Sequence, residues 1–547
     1  MTSGSTTRPL TSVDLSRRGP ALGVLAVLLT AALALFLAIS RTSHVSWIDS
    51  GGYENMLCYF LQSGRVDYMR WSQPTFIGLL PVAVPWSLLF GTSVASLQIL
   101  GVAYGLALVA GLYLFLIRHV PSLYAALLCA TLISSSEFLP FVPTFMSDIP
   151  YAAYVVWFLV VHQKLEGADA QETPGRTAWL WTAWGLFFLL ACLTRSFSLL
   201  LVPLFLVQWM ARRSSSGDAA FSRRCFLLAA LLSVAALATV RLIGRNGFSP
   251  VELTVIPDVV LRHQWARLDL RTLIVSLIQI SLLALPGLLI SRQMSVRRFS
   301  PPEIAAAALG LVAALHFWHK GLLQAGMTLP FVPGGHPALL LLLLVLLLPL
   351  SVLLLYRLLK AAFAVAALSS TVQVLIALAV AHLLVLPVMQ HPMLHHTLPA
   401  LIALLMLIAV LGIRTARLPF IVSSVVLLGM AGWNAVTLMS QRTVEQTRWD
   451  TAAGLVRSGV PLSEIDGGWG WYCRYHLHPG LARPLNFVTD YAALTRSARF
   501  VVTETASPPQ ANPAQAEKVQ TMTSSVWVGV IDRRPAANAT GESAALQ

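Results

Sequence analysis

Long uncharged apolar runs, separated by short segments that carry arginine, recur along most of this chain. The run ALGVLAVLLTAALALFLAIS, from Ala21 to Ser40, has no polar face and matches the ~20 residues an α-helix needs to cross a bilayer. About thirteen such runs can be counted, centred roughly near 30, 105, 130, 156, 185, 203, 234, 281, 310, 347, 377, 405 and 428. The pattern predicts an all-α polytopic membrane protein, with a short tail over residues 1–20 and a transmembrane domain over 21–437.

Two segments break this pattern. The first, residues 41–92, holds a weaker apolar stretch, PTFIGLLPVAVPWSLLF, interrupted by Pro81 and Pro85. Counting it as a span would invert every later loop, so it is read as a helix lying in the interface. The second, residues 438–534, has ordinary polarity. In it WDTAAGLVRSG reads as an amphipathic helix, and ARFVVTET and SVWVGVIDR read as strands, predicting a small α/β domain outside the membrane. Residues 535–547, with five Ala and only one larger apolar residue, read as a disordered tail.

Composition sharpens the class. The 547 residues are 56% hydrophobic and only 11% charged, with a mean hydropathy of +0.72. Soluble domains carry about 25% charged residues, which excludes them as the main body. Lys and Arg number 37 against 23 Asp and Glu, an excess that in a soluble protein would suggest nucleic acid. Its placement says otherwise. With the N-terminus cytoplasmic, alternate loops and the tail hold 17 Lys or Arg, while the longer opposite loops of the membrane part hold ten. That bias fits the positive-inside rule and places the C-terminus outside, so the charge sets topology and no nucleic-acid partner is expected. Abundant Ala and Leu with only four lysines hint at a bacterial source and hence at a bacterial cytoplasmic membrane. The five cysteines show no CxxC or other metal spacing.

Carboxylates are the informative residues, because one placed in hydrocarbon costs about 2.5–3.5 kcal/mol on insertion scales. None of the 23 acids falls in the middle of a predicted span, which disfavours a proton-coupled carrier. Two acids stand at the outer face. Asp49 lies in SHVSWIDSGGYENMLCYF, flanked by Trp47 and Tyr53, and Asp148 lies in FVPTFMSDIPYAAYVVWF just before Pro150. Each has two readings, a helix cap or a catalytic group. That both precede aromatic-rich helices on one face of the membrane favours chemistry.

WIDSGGYENM, followed by Arg70, Gln73 and Pro74, resembles the first outer loop of the GT-C glycosyltransferases, above all bacterial members related to family 39, the protein O-mannosyltransferase and aminoarabinose-transferase group. Ser147-Asp148-Ile149-Pro150 resembles the family's second acidic site. LTRSFSLLLVP around Arg195 resembles its Thr-Arg-Pro segment, with Ser196 where proline is usual, and HPMLHHTLPALIALL resembles its entry to a late helix. Ser50 stands where the protein mannosyltransferases have Glu, so their acceptor class is not carried over.

The resemblance implies transfer of a sugar from a polyprenyl-phosphate donor to a glycan, lipid or protein acceptor at the outer face, with membrane lipids as the remaining partners. Such a displacement needs a base for the acceptor proton and cations for the leaving phosphate. Asp49 is the expected base, with Asp148 positioning the acceptor or tuning the base by like-charge proximity. Arg70 and Arg195, with His395 and His396, are the expected phosphate-binding groups, the arginines because their planar fork suits an oxyanion. For the arginines the competing reading is contact with lipid headgroups. Tyr53, and Trp471 in the segment DGGWGWYCRYH, are candidates for contact with acceptor or sugar, against a Gly-rich turn that merely covers the outer domain. No cofactor is expected, since the histidines lack a ligand spacing that would support a divalent metal. The competing functions are a lipid-linked sugar flippase or transporter, a non-catalytic membrane module, and a polymerase or ligase of lipid-linked glycan.

Overall fold

The computed structural model describes residues 18–41, 45–46, 49–66, 76–167, 173–212, 216–243, 270–292, 300–320, 337–366, 369–385, 397–476, 494–495, 497–505, 517–520 and 525–532. A helix stands at each of the thirteen apolar centres. In chain order the helices are α1 (Arg18–Ser40), α2 (Ser50–Ser63), α3 (Leu80–Phe90), α4 (Val94–Leu116), α5 (Ser122–Ile133), α6 (Asp148–Glu166), α7 (Pro174–Thr194), α8 (Leu201–Ala211) and α9 (Ser216–Ile243). They continue with α10 (Leu270–Leu283), α11 (Leu285–Ile290), α12 (Pro301–Lys320), α13 (Pro337–Ala366), α14 (Ser370–Val385), α15 (Leu398–Leu411), α16 (Arg417–Arg457) and α17 (Trp469–Tyr475). Among the described residues, six helices are long and apolar enough to cross a membrane by length and composition: α1, α4, α7, α9, α13 and α16. α10 and α11 share one apolar run, broken where Pro286 removes a backbone donor. α3, with the turn before it, belongs with α5, α8, α14 and α15 among the shorter apolar helices of 10–17 residues.

Contacts between the chain reversals sort them into two ends. At one end Val66 meets Ile243, Tyr53 meets Ser147, and Arg195 meets Asp148. At the other, Arg118 and His119 meet Gln163, Glu166 caps the start of α14 through the Ser370 and Thr371 amides, Arg357 pairs with Glu303, and Arg292 bonds Gly412. These contacts are what a chain produces when its helices pass alternately up and down. In lipid, helices gain little from burying apolar surface against one another, so close backbone approach matters more. Gly101 and Gly105 of α4 supply it, because a Cβ on either would collide with residues 142–144. This spacing presses the segment leading to Asp148 against α4 and so helps to place the acid.

α16 runs unbroken for 41 residues out of the bundle, and its outer part carries the sheet. Strands β1 (Ile465–Asp466), β2 (Phe500–Thr505), β3 (Glu517–Gln520) and β4 (Ser525–Asp532) form one sheet in the order β1-β2-β4-β3. β1 runs parallel to β2, while β4 is antiparallel to both β2 and β3. Val528 and Val530, two apart on one face of β4, join Val502 of β2, Ile465, Trp449 and Trp471 in a core separate from that of the bundle. The amphipathic stretch Trp449–Gly459 is therefore not a separate helix but the far end of α16, which turns its Trp449 and Ala452 into this core. Residues 535–547 lie outside the described residues.

Candidate active site

The site is built where α2, the start of α6, the α7–α8 junction and α17 converge. α2 ends at Gly64, whose left-handed backbone (φ +69°) directs its N–H to the Phe60 carbonyl and stops the helix. Its first turn contains Gly51 and Gly52, and a Cβ on Gly51 would lie 2.8 Å from the backbone nitrogen of Arg474. Glycine there lets α17 lie directly on α2. Gly470 plays the same part from the other side, since its Cβ would stand 2.5 Å from the Ser46 carbonyl.

Asp49 occupies the N-cap position of α2, yet its side chain makes no capping bond. Its Oδ1 instead accepts a hydrogen bond from the indole Nε1–H of Trp469, 2.7 Å away across the sequence. The capping account of this residue therefore fails, and the carboxylate is left available for chemistry. Burial pushes the Asp49 carboxyl up to about 6, opposed by the Trp469 N–H; the Asp148 charge raises it and Arg195 lowers it. A carboxyl placed there stays ionised at neutral pH while being a far better proton acceptor than an exposed aspartate.

Tyr53, one helical turn after Asp49, shares a hydrogen bond between its hydroxyl and Ser147 Oγ at 3.0 Å. Arg195 Nε donates to the same Ser147 Oγ at 3.1 Å, and its Nη2 stands 2.7 Å from Asp148 Oδ1. Asp148 is the first residue of α6, where the positive end of the helix dipole favours a carboxylate. The string Tyr53, Ser147, Arg195, Asp148 thus ties α2 to the bundle. Arg195 is only 6% exposed, which excludes the headgroup reading. Its guanidinium pairs with Asp148 on the cleft wall.

Asp148 and Arg195 open onto a small cleft lined also by Tyr151, Phe197, His382, Leu398 and Pro399. With His382 Nδ1–H donating to the Leu378 carbonyl at 2.8 Å, its Nε2 accepts from the Tyr151 hydroxyl at 3.3 Å. The sequence had singled out neither Tyr151 nor His382. The signal the sequence offers is a lone histidine within the apolar run VLIALAVAHLLVL.

Beside this cleft, α17 is held by more than one contact. Arg474 Nη1 lies 2.9 Å from Glu54 Oε2, Ser46 donates to the same oxygen at 2.8 Å, and Asn55 Nδ2 reaches the carbonyls of Cys473 and Arg474. Glu54 is 1% exposed; burial pushes its carboxyl up to about 7 against the opposing Arg474 charge and Ser46 hydroxyl. The expectation for Trp471 is corrected: it is 2% exposed, packed against Trp449 and Tyr475 in the outer core, and cannot stack on a ligand. Its neighbour Trp469 is the aromatic that reaches the site, because α17 sends residues two apart to different sides. Arg70, His395 and His396, like Trp47, Gln73, Pro74, His336 and His391, lie outside the described residues. Among the described residues no group of three or more His, Cys, Asp or Glu could hold a metal ion.

Fold and site together define a polytopic helical protein with a small α/β domain and an acid-bearing cleft at one end of the bundle. No protein-family model and no curated relative matches the chain. Among solved structures it is similar to ArnT from Cupriavidus metallidurans bound to undecaprenyl phosphate, with 16% identity, 93% of this chain and 98% of that one covered, and a TM-score of 0.42. It is also similar to the archaeal oligosaccharyltransferase AglB from Archaeoglobus fulgidus in complex with an inhibitory peptide and a dolichol-phosphate, with 15% identity and a TM-score of 0.48. That alignment covers 86% of this chain and 61% of AglB, so the chain spans about three-fifths of the archaeal protein's length.

Proposed function

We propose that this protein is a GT-C glycosyltransferase that moves one sugar from a polyprenyl-phosphate donor to a hydroxyl-bearing acceptor at the outer face of the cytoplasmic membrane. The observation that carries the reading is Asp49: an N-cap aspartate that does not cap, buried to a near-neutral pKa beside the Asp148–Arg195 pair. In the proposed step the acceptor oxygen attacks the anomeric carbon and its proton passes to Asp49. The bond from that carbon to the phosphate oxygen breaks, and the polyprenyl phosphate leaves with the electron pair. Asp148, held by Arg195, which in turn donates to Ser147, orients the acceptor at the cleft mouth. Arg70, His395 and His396 are assigned to the leaving phosphate, a role left to them because Arg195 is engaged with Asp148.

The test is phosphate-lipid release from a panel of polyprenyl-phosphate sugars by purified Asp49→Asn. The amide keeps the size and can still accept from Trp469, but it takes no proton at neutral pH. Loss of a positioned base costs about 100-fold to 10,000-fold in rate. Turnover within a few-fold of the parent at equal expression and stability would overturn the mechanism.

A further inference from the structure

The contact between Asp49 and Trp469 joins two parts of the chain 420 residues apart, and both ends of it are constrained. Asp49 is fixed by the first turn of α2, with the amides of Gly52 and Tyr53 bonded to its carbonyl. Trp469 follows a turn in which Gly468 takes φ +91° and its N–H bonds Asp466 Oδ1 at 2.9 Å. The indole is stacked on Tyr472, ring centroids 5.6 Å apart. Arg474, Asn55, Gly51 and Gly470 then lock α17 onto the outer loop. An indole N–H has a single proton to give and no acceptor site. Spending it on a carboxylate oxygen in a buried setting is a charge-assisted bond, stronger than a bond between neutral groups.

We infer that Trp469 is a positioning residue for Asp49: the outer domain holds Oδ1 through the indole N–H and leaves Oδ2 to receive the acceptor proton. The outer domain is then one wall of the site and not an appendage. This rests on the reading of Asp49 as the base. The charged and titratable groups facing Asp49 are Asp148 of α6, Arg195 at the α7–α8 junction, Tyr53 of α2 and Cys473 of α17. Trp469 supplies the hydrogen bond that favours the ionised form, so its removal has a defined sign.

The experiment is carbodiimide labelling of Asp49 in the full chain, followed against pH by peptide mass spectrometry, since only the protonated carboxyl reacts. The parent should show a midpoint near 6. Trp469→Phe should move it up by about one pH unit, roughly tenfold in proton affinity. An unmoved midpoint in folded Trp469→Phe overturns the inference. A second measurement needs no change at Trp469: among the indole N–H signals of 15N-labelled protein, one should titrate with the Asp49 midpoint and lose that titration in Asp49→Asn. The absence of such a signal overturns the inference even where Trp469→Phe does not fold. The two claims separate in the transfer assay. If Asp49→Asn stays active while the labelling midpoint shifts, the contact stands and the base assignment falls. If Asp49→Asn is inactive and the midpoint does not shift, the base stands and Trp469 has no positioning role.

Discussion

Asp49 shows how one side chain can sit at a capping position and do something else. Aspartate at an N-cap ordinarily accepts from an amide two or three residues ahead, a bond worth about 1 kcal/mol to the helix. Here that oxygen faces Trp469, and α2 starts without it. The raised carboxyl has a stability consequence whose sign is fixed. A folded-state pKa of about 6, above the unfolded value of 3.8, contributes stability that is present below 3.8 and is lost as pH rises through 6. Asp49→Asn is therefore expected to melt at or above the parent's temperature at pH 7.5, with the difference closing near pH 4, as read by thermal unfolding in detergent. In the parent, transfer should fall on the acid side with an apparent pKa of about 6 as the base is protonated. A rate that stays flat from pH 7 down to 5 would argue against Asp49 as the proton acceptor.

The short helix α17 matters more than its seven residues suggest, because its seat on α2 sets both Trp469 and the Glu54–Arg474 pair. Arg474→Ala would leave Glu54 buried without its cation. Because the Arg474 side chain is 26% exposed, the cost is set below that of a fully buried pair, at about 1–3 kcal/mol. The pH dependence follows from the Glu54 carboxyl, raised to about 7. Below that value Glu54 is protonated and needs no partner, so the deficit should be large at pH 8 and small at pH 5. Melting curves of parent and variant at the two pH values measure it; equal deficits at both would mean the pair does not hold α17. None of this docking was visible as pattern. The segment DGGWGWYCRYH announced a glycine-rich turn with aromatics, but which of Trp469 and Trp471 faced inward depended on how a seven-residue helix lay against a distant loop.

Across the whole chain, the alternation of contacts between two ends agrees with helices threading a membrane in turn, and it gathers Asp49, Asp148, Arg195 and the outer domain at one end. The arginine bias predicts that this end faces outside. A reporter that fluoresces only in the cytoplasm, fused after Gln547, should stay dark, and one active only outside should work; the reverse would put the cleft on the cytoplasmic face.

That a helix stands at each of the thirteen apolar centres was legible in advance, because long uncharged runs leave the backbone to satisfy its own hydrogen bonds. β2 was legible from its run of β-branched residues, and β4 from its alternating valines. Asp49 and Asp148 stood out because acids are rare in such a composition. Their partners did not, because tryptophan, serine, tyrosine and arginine are common at membrane interfaces and nothing local marks which of them will meet. The bond from Trp469 to Asp49, the pairing of Arg195 with Asp148 and the burial of Trp471 are all contacts between remote segments. Local periodicity reports which face of an element is apolar; it carries no information on which other element that face will find.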